Sequence, residues 1–540
     1  MLMSDPFWYK NAVFYEVYVR AFYDSNGDGH GDLNGLTQKL DYLQSLGVDC
    51  LWLLPIYPSP LKDDGYDISD YMGIHPDYGT LDDFKALLAA AHAHNIRLIM
   101  DLVINHTSDQ HPWFQAARTD HNSPFRGYYV WSDTDKKYSQ ARIIFVDTEK
   151  SNWTWDEVAG QYFWHRFYSS QPDLNFDNPA VRAELICIIR FWLDLGVDGF
   201  RVDAAPYIFE REDTSSENLP ETHTFLKEIR SFVDRNFPGR ILLCEANQWP
   251  QEVRDYFGDG DEFHLAFHFP LMPRIFMALR SGETSPIEWA LTHTPTIPEN
   301  CQWCTFLRNH DELTLEMVTE EQRQWMWEQY APDPRMRLNL GIRRRLAPLL
   351  DNDKRKIGVA FSLLFTLPGS PIIYYGDEIG MGDNIYLADR NGVRTPMQWE
   401  AGLNAGFTQA RTIYSPVNNT PPYHPEKVNV MSECTEAGSL WSQIRAMISI
   451  RKSHSALCYG TLTMVDCGSS AVAAYLRVES QETVLVLQNL SAHPQKITRP
   501  LVPDVHGKFI DLLTRQSEDN IRGKANLFLQ PYEYRWLLIQ

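Results

Sequence analysis

Three carboxylates stand out for where the chain puts them. Asp203 follows the apolar run 200–202, Glu245 follows 241–244, and Asp311 closes Arg308-Asn309-His310-Asp311 after 304–307. Each run reads as a short buried strand, so each acid falls at or just past a strand's C-terminal tip. In a chain that alternates strand and helix patterns, those tips are where a parallel barrel opens its active site. A core gains nothing from unpaired carboxylates at strand ends, so three of them in equivalent places form a catalytic arrangement.

The elements that must position them follow the same rhythm. Strands are expected at 12–19, 49–54, 97–103, 199–202, 241–244, 262–267, 303–307 and 371–375, with amphipathic helices such as 36–46, 81–94 and 179–195 between them. Eight such repeats predict the α/β class and a (β/α)8 TIM barrel. From 107 to 172 the alternation lapses, which predicts an inserted subdomain after strand 3. A second insertion, 312–353, has helical spacing and the basic run Arg343-Arg344-Arg345, which reads first as solvated helices and more sharply as a lid. After about 455 short alternating strands predict a C-terminal antiparallel β-sandwich domain. The expected division is therefore barrel 1–106, subdomain 107–172, barrel again 173–455, and β domain 456–540.

A net charge of −21 would repel nucleic acid and anionic membranes, so neither is expected as a partner and a small neutral molecule is. The 16 Trp and 26 Tyr supply rings whose apolar faces and polar tips suit sugars, although most of them belong in the core. Residues 1–10 show no secretory signal, and the longest apolar stretch, 358–375, is broken by Pro368-Gly369-Ser370-Pro371. Eight scattered cysteines read as small buried hydrophobes in a reducing compartment, so a cytoplasmic location is expected. Cys301-Gln302-Trp303-Cys304 opens a strand and lacks a second pair, which disfavours a zinc or redox role. The composition leaves a homo-oligomer open.

After the first strand, Asp24-Ser25-Asn26-Gly27-Asp28-Gly29-His30-Gly31-Asp32 places oxygen side chains at alternate positions among glycines. Carboxylates, an amide and a backbone carbonyl suit Ca²⁺ better than Mg²⁺. The loop is not an EF-hand, because its twelfth position is Gly35 where a bidentate Glu is required. An Asx-rich turn is the plainer reading. No organic cofactor is expected.

Asp101-Leu102-Val103-Ile104-Asn105-His106, Gly199-Phe200-Arg201-Val202-Asp203, Glu245 and Asn309-His310-Asp311, in that order on successive strands, resemble the conserved regions of the α-amylase family of glycoside hydrolases and transglycosylases. The 24–32 loop resembles the calcium loop of the family's oligo-1,6-glucosidase-like branch, with His30 in place of the more usual aliphatic residue. Segments 210–223, 308–317, 376–386 and 394–399 are similar to the branch that rearranges maltose into trehalose, and the resemblance covers essentially the whole chain.

The resemblance implies a retaining mechanism, with a nucleophile and an acid/base about 5–5.5 Å apart. Asp203 would be the nucleophile, kept ionised by Arg201, and Glu245 the acid/base, the more desolvated of the two. Asp311 would bind ring hydroxyls. His106 and His310 would hydrogen-bond the same ring, and Asp63, Tyr66 and Arg394 would close a glucose-sized pocket. A second Ca²⁺ is implied at Asn105, Asp173 and Glu210, with backbone oxygens of Tyr207 and Ile208. The substrate would be a disaccharide, isomerised with its freed glucose retained apart from minor hydrolysis, and the insertions at 107–172 and 312–353 would close the pocket. An α-glucosidase or a sucrose isomerase is the runner-up. A non-catalytic relative akin to transporter heavy chains is disfavoured by the presence of all three acids.

Overall fold

Eight short apolar runs become the strands β1 (Phe14–Val17), β2 (Cys50–Leu53), β3 (Arg97–Val103), β4 (Gly199–Asp203), β5 (Ile241–Cys244), β6 (Leu265–Phe267), β7 (Gln302–Phe306) and β8 (Ser370–Tyr374) of a closed barrel. Each pairs in parallel with its sequence neighbours, and β8 pairs with β1. A parallel sheet is covered on both faces, which is why these strands read as unbroken apolar runs. The computed structural model describes residues 5–501, 508–518 and 527–540.

Register sets the site. Val103 stands opposite Asp203 and Val202 opposite Cys244, so Glu245 lies one step beyond β5 beside the end of β4. Gly199 opens β4 at φ +152°, and a Cβ there would stand 2.3 Å from the Ile241 carbonyl; only glycine lets β5 come this near. The helix Pro179–Leu195 starts on an Asn178 cap that accepts from Ala180 N and stops at left-handed Gly196. It buries Leu185, Ile189 and Trp192 and fixes where β4 begins.

β1 and β6 depart from the sequence expectation by two or three residues and β2, β4, β7 and β8 by one, while the expected helix 36–46 is two helices, Leu33–Gln38 and Leu40–Leu46, that meet at Lys39. β1 stops at Val17, because Val19 opens the short helix Val19–Phe22. β6 starts only at Leu265, since the His264 ring turns Nδ1 to accept from the Leu242 amide.

Between 107 and 172 lie the helix Pro112–Thr119 and an antiparallel sheet of Trp131–Ser132, Gln161–Trp164 and Trp153–Asp156 over a small core of Ala141, Trp153 and Trp164. The 312–353 insertion is less helical than its spacing suggested. Besides the helix Glu320–Tyr330 and the single turn Leu346–Leu349, it carries a small antiparallel sheet of Leu313–Thr314, Gly341–Ile342 and Arg337–Leu338. Nor is Arg343-Arg344-Arg345 a solvated face. Arg345 is fully buried and donates to the Tyr375 carbonyl at 2.7 Å, Arg344 pairs with Asp383 at 2.9 Å, and Arg343 donates to the Ile385 carbonyl at 3.1 Å. The acceptors all lie beyond β8, too far along the chain for local charge patterning to reveal them.

After the barrel, Thr461–Met464, Val472–Glu479, Glu482–Asn489, Tyr534–Ile539, Phe509–Asp511 and Ser517–Glu518 form an antiparallel sheet. A second pair, Gln495–Lys496 and Phe528–Leu529, faces a separate core around Leu485, Leu487 and Leu537. Among the described residues, no helix is long and apolar enough to cross a membrane.

Candidate active site

Arg201 is the hub of the barrel mouth. It sits two residues before Asp203 on β4, so both side chains leave the strand on the same face. Its Nη1 pairs with Asp101 Oδ1 at 2.5 Å and Asp203 Oδ1 at 2.7 Å, and its Nη2 pairs with Glu245 Oε1 at 2.5 Å. Ala204 turns into the left-handed region at φ 51°, and its amide donates to Glu245 Oε2 at 3.2 Å. A non-glycine residue held there stores strain of the kind that clusters at working sites.

Burial raises both acids against the pull of Arg201, Asp203 to about 6 and Glu245 to about 7. The sequence expectation that Glu245 is the more desolvated is not met by exposure. Its side chain is 19% exposed against 11% for Asp203, because it stands past its strand end, farther into the mouth. Its proton affinity is nonetheless the higher of the two.

Asp311 lies in the loop beyond β7 rather than at the strand's tip. Its Oδ1 accepts from Arg390 Nε at 2.8 Å and Arg394 Nη2 at 3.0 Å, and its Oδ2 faces His310 Nε2 at 3.1 Å. Burial would raise its pKa, but the charges of His310, Arg390 and Arg394 outweigh that and hold it well below the usual carboxylate range. Arg394 also pairs with Asp64 at 2.6 Å. Asp63 is buried, accepts from Gln171 Nε2 at 2.9 Å, and is pushed up to about 7 by desolvation. His106 contacts the Tyr66 carbonyl at 3.2 Å, has no partner at Nδ1, and is lowered by burial to about 3, so its ring is neutral.

Asp203, Glu245, Asp311, Asp63, Tyr66 and His106 line one cavity, of about 850 Å³ with its open mouth, within the size range of small-molecule sites. Phe145 and Phe167 from the first insertion and Glu312, Thr314 and Glu316 from the second complete its wall. Arg201, His310 and Arg394 stand behind that wall and hold the carboxylates that form it.

Of the expected metal residues, one set is left short of partners. Leu174 N donates to the Asn105 carbonyl, and His106 and Asp173 form an isolated bridge, which brings Asn105 and Asp173 together. Both side-chain atoms of buried Asn105, Asp173 Oδ2 and Glu210 Oε1 have no hydrogen-bond partner. Burial lifts Asp173 to about 8, and burial together with Asp173 lifts Glu210 well above its usual range. Such orphaned oxygens, with Glu210 on the loop that carries Tyr207 and Ile208, fit a hard cation. The 24–32 loop differs. Asp24 accepts from the Gly27 and Gly29 amides at 2.7 and 2.8 Å, Asn26 Oδ1 from Asp28 N at 2.9 Å, Asp28 from His30 N at 2.8 Å, and Asp32 from Gly35 N at 2.6 Å. Those bonds account for its oxygens as a network of turns, so any fit to Ca²⁺ there rests on donor chemistry alone. Among the described residues, no three His, Cys, Asp or Glu converge on a metal-sized point.

Sequence reasoning missed four contributors. Asp101 opens a motif that by itself assigns it no role, and it pairs with Arg201. Arg390 sits four residues before Arg394, a spacing that was visible. Glu16 is a lone acid inside the wholly buried strand β1, which was the clearest unused signal. Arg142 lies in the first insertion and pairs with Glu217 at 2.9 Å and Glu316 at 2.6 Å; no local pattern marked it.

A parallel barrel with two insertions and three acids at its mouth defines a class, and the sequence agrees. Residues 16–460 match the alpha amylase catalytic domain and 462–536 the maltogenic amylase C-terminal domain; the chain belongs to the α-amylase family. It is 57% identical over 505 residues to trehalose synthase/amylase TreS of Mycobacterium tuberculosis, covering 92% of this chain and 84% of that protein. The trehalose synthase of Thermus thermophilus is 51% identical over 534 residues, which span 98% of this chain and 55% of that one. Among solved structures, the trehalulose synthase MutB of Pseudomonas mesoacidophila MX-45 superposes with a TM-score of 0.79 at 31% identity, covering 99% of each chain. These relatives define an enzyme of glycoside-hydrolase type that transfers glycosyl groups as an isomerase.

Proposed function

We propose that this enzyme interconverts maltose and α,α-trehalose by a retaining double displacement, with minor hydrolysis to glucose. The supporting observation is that Asp203 and Glu245 share the two Nη atoms of Arg201 in a walled cavity, in a chain 57% identical to a trehalose synthase. A related MutB structure, with a TM-score of 0.81, holds the disaccharide isomaltulose, which supports the substrate class.

Glu245, protonated below about pH 7, delivers its proton to the glycosidic oxygen as Asp203 attacks C1. Asp203 Oδ1 is engaged by Arg201, which leaves Oδ2 for the anomeric carbon. The C1–O bond breaks, leaving a glucosyl ester on Asp203 and free glucose. Glucose turns to present its anomeric hydroxyl, Glu245 takes that proton, and the oxygen displaces Asp203. Two inversions restore the α configuration. Asp311, anionic throughout, binds ring hydroxyls and favours the charge that develops on the ring. Walls contributed by both insertions keep water from the ester while glucose turns.

The buried set Asn105, Asp173 and Glu210, with the backbone oxygens of Tyr207 and Ile208, is our proposed Ca²⁺ site, structural rather than reactive. The donor chemistry of the 24–32 loop suits the same ion. Eight free thiols suit a reducing cytoplasm.

Incubation with maltose, trehalose and sucrose in parallel tests the reading. Trehalose from maltose and maltose from trehalose are expected. Glucose alone would point instead to an α-glucosidase, and reducing isomers of sucrose without trehalose from maltose to a sucrose isomerase.

A further inference from the structure

We propose that Glu16 is a positioning residue that holds His310 as an imidazolium and, through it, keeps Asp311 anionic and aimed into the cavity. The inference rests on the proposed role of Asp311 as a sugar-binding anion. Glu16 is wholly buried in the middle of β1 and does not reach the cavity. Its Oε1 accepts from His310 Nδ1 at 2.5 Å and from the His310 amide at 3.1 Å. On the ring's other side, Nε2 faces Asp311 Oδ2 at 3.1 Å and the Tyr66 hydroxyl at 2.8 Å.

Both ring nitrogens therefore face carboxylates, and only a ring protonated at both satisfies them; a neutral ring would turn one lone pair on an anion. The remaining neighbours agree. Tyr66 stacks on the ring at 5.4 Å and donates onward to Asp101 Oδ2 at 3.2 Å, so its hydroxyl oxygen is free to accept from Nε2. Trp52 of β2 meets the ring edge-on at 5.8 Å, and Asp101 of β3 adds a third negative charge nearby. Arg394 donates to the His310 carbonyl at 3.0 Å and not to its ring. Around Glu16 itself, Asp377 and Tyr374 lie close enough to interact with its charge. Burial opposes charge on His310, but Asp311 and Glu16 outweigh it and raise the pKa to about 9.

Glu16→Gln keeps the acceptor oxygen and removes the charge, so it separates electrostatics from shape. Histidine ring NMR, with His310→Gln for assignment, reads the titration without any substrate. In the wild type His310 is expected to stay doubly protonated at pH 8. In E16Q its proton affinity falls about tenfold or more, one pKa unit, and kcat/KM drops further at pH 8.5 than at pH 6.5. Glu16→Asp, which restores the charge, recovers part of both. A neutral His310 in the wild type at pH 8, an unshifted titration in E16Q, or a loss of kcat/KM equal at every pH overturns the proposal. Should E16Q fail to fold, the wild-type titration still decides. Failure of the proposed isomerisation would show as absent trehalose, a result independent of the NMR.

Discussion

Arg142 Nη1 donates to Glu316 Oε2 at 2.6 Å across 174 positions of sequence, and so ties the first insertion to the second over the cavity. The same guanidinium reaches Glu217 at 2.9 Å and the Tyr207 hydroxyl at 3.2 Å, and Arg166, also of the first insertion, meets Glu217 at 2.8 Å. Tyr207 and Glu316 both line the cavity, so this network forms part of its rim.

Breaking that rim should let water in while glucose turns. Arg142 is 37% exposed, so its loss is worth about 1 kcal/mol, the upper range for an exposed pair. Arg142→Ala is therefore expected to raise glucose released per trehalose formed by roughly fivefold, with Glu316→Gln acting in the same direction. Trimming the 312–353 insertion should do so more strongly. Product ratios from maltose by chromatography check this; an unchanged ratio would mean that closure lies elsewhere.

The two reacting acids predict a narrow pH profile. Asp203 must be ionised to attack and titrates near 6; Glu245 must be protonated to donate and titrates near 7. kcat/KM should fall below pH 6 as Asp203 gains its proton and above pH 7 as Glu245 loses its own, with the limbs belonging to the coupled pair. Measured against a substrate whose leaving group needs no proton, the alkaline limb should vanish and the acid limb remain. A profile flat from pH 5 to pH 8 would contradict the assignment, since both values lie inside that window.

How much of this was legible in the sequence depends on the range of each interaction. The barrel was readable because a parallel strand needs only a local apolar run, and Asp203 and Glu245 because they stand directly beside such runs. His264 shows the limit: one side-chain bond to Leu242 shortened β6, and periodicity carries no such information. The basic run at Arg343 failed for the same reason, its acceptors lying beyond β8. Glu16 was legible and unused, since an acid in a wholly buried strand requires a partner even when its identity is hidden.

Calcium should stabilise the protein through Asn105, Asp173 and Glu210. An ion would satisfy oxygens that now lack partners and neutralise two buried acids. After chelation, adding Ca²⁺ to about a hundredfold above its Kd should add about 2.7 kcal/mol to unfolding, seen as a rise in Tm by calorimetry. Asn105→Ala should abolish most of that rise and leave any contribution of the 24–32 loop. A Tm indifferent to Ca²⁺ and to chelator would leave the orphaned oxygens to water.

The covalent intermediate gives the most direct test of the site. Asp203→Asn keeps the size of the side chain and removes the attacking charge, so kcat on maltose should fall by about 10³-fold or more. Arg201 would still hold Glu245 at the mouth, so binding should suffer far less than turnover. A glucosyl fluoride carrying a second fluorine on the ring slows both displacements but keeps a good leaving group, so the first outruns the second. The wild type should gain the mass of one fluoroglucosyl group, and peptide mapping should place it on Asp203. Glu245→Gln should still label, because fluoride needs no proton, and should then release the sugar more slowly, because no base remains to activate the acceptor. Label on any other residue would move the nucleophile, and turnover undiminished in Asp203→Asn would remove the double displacement altogether.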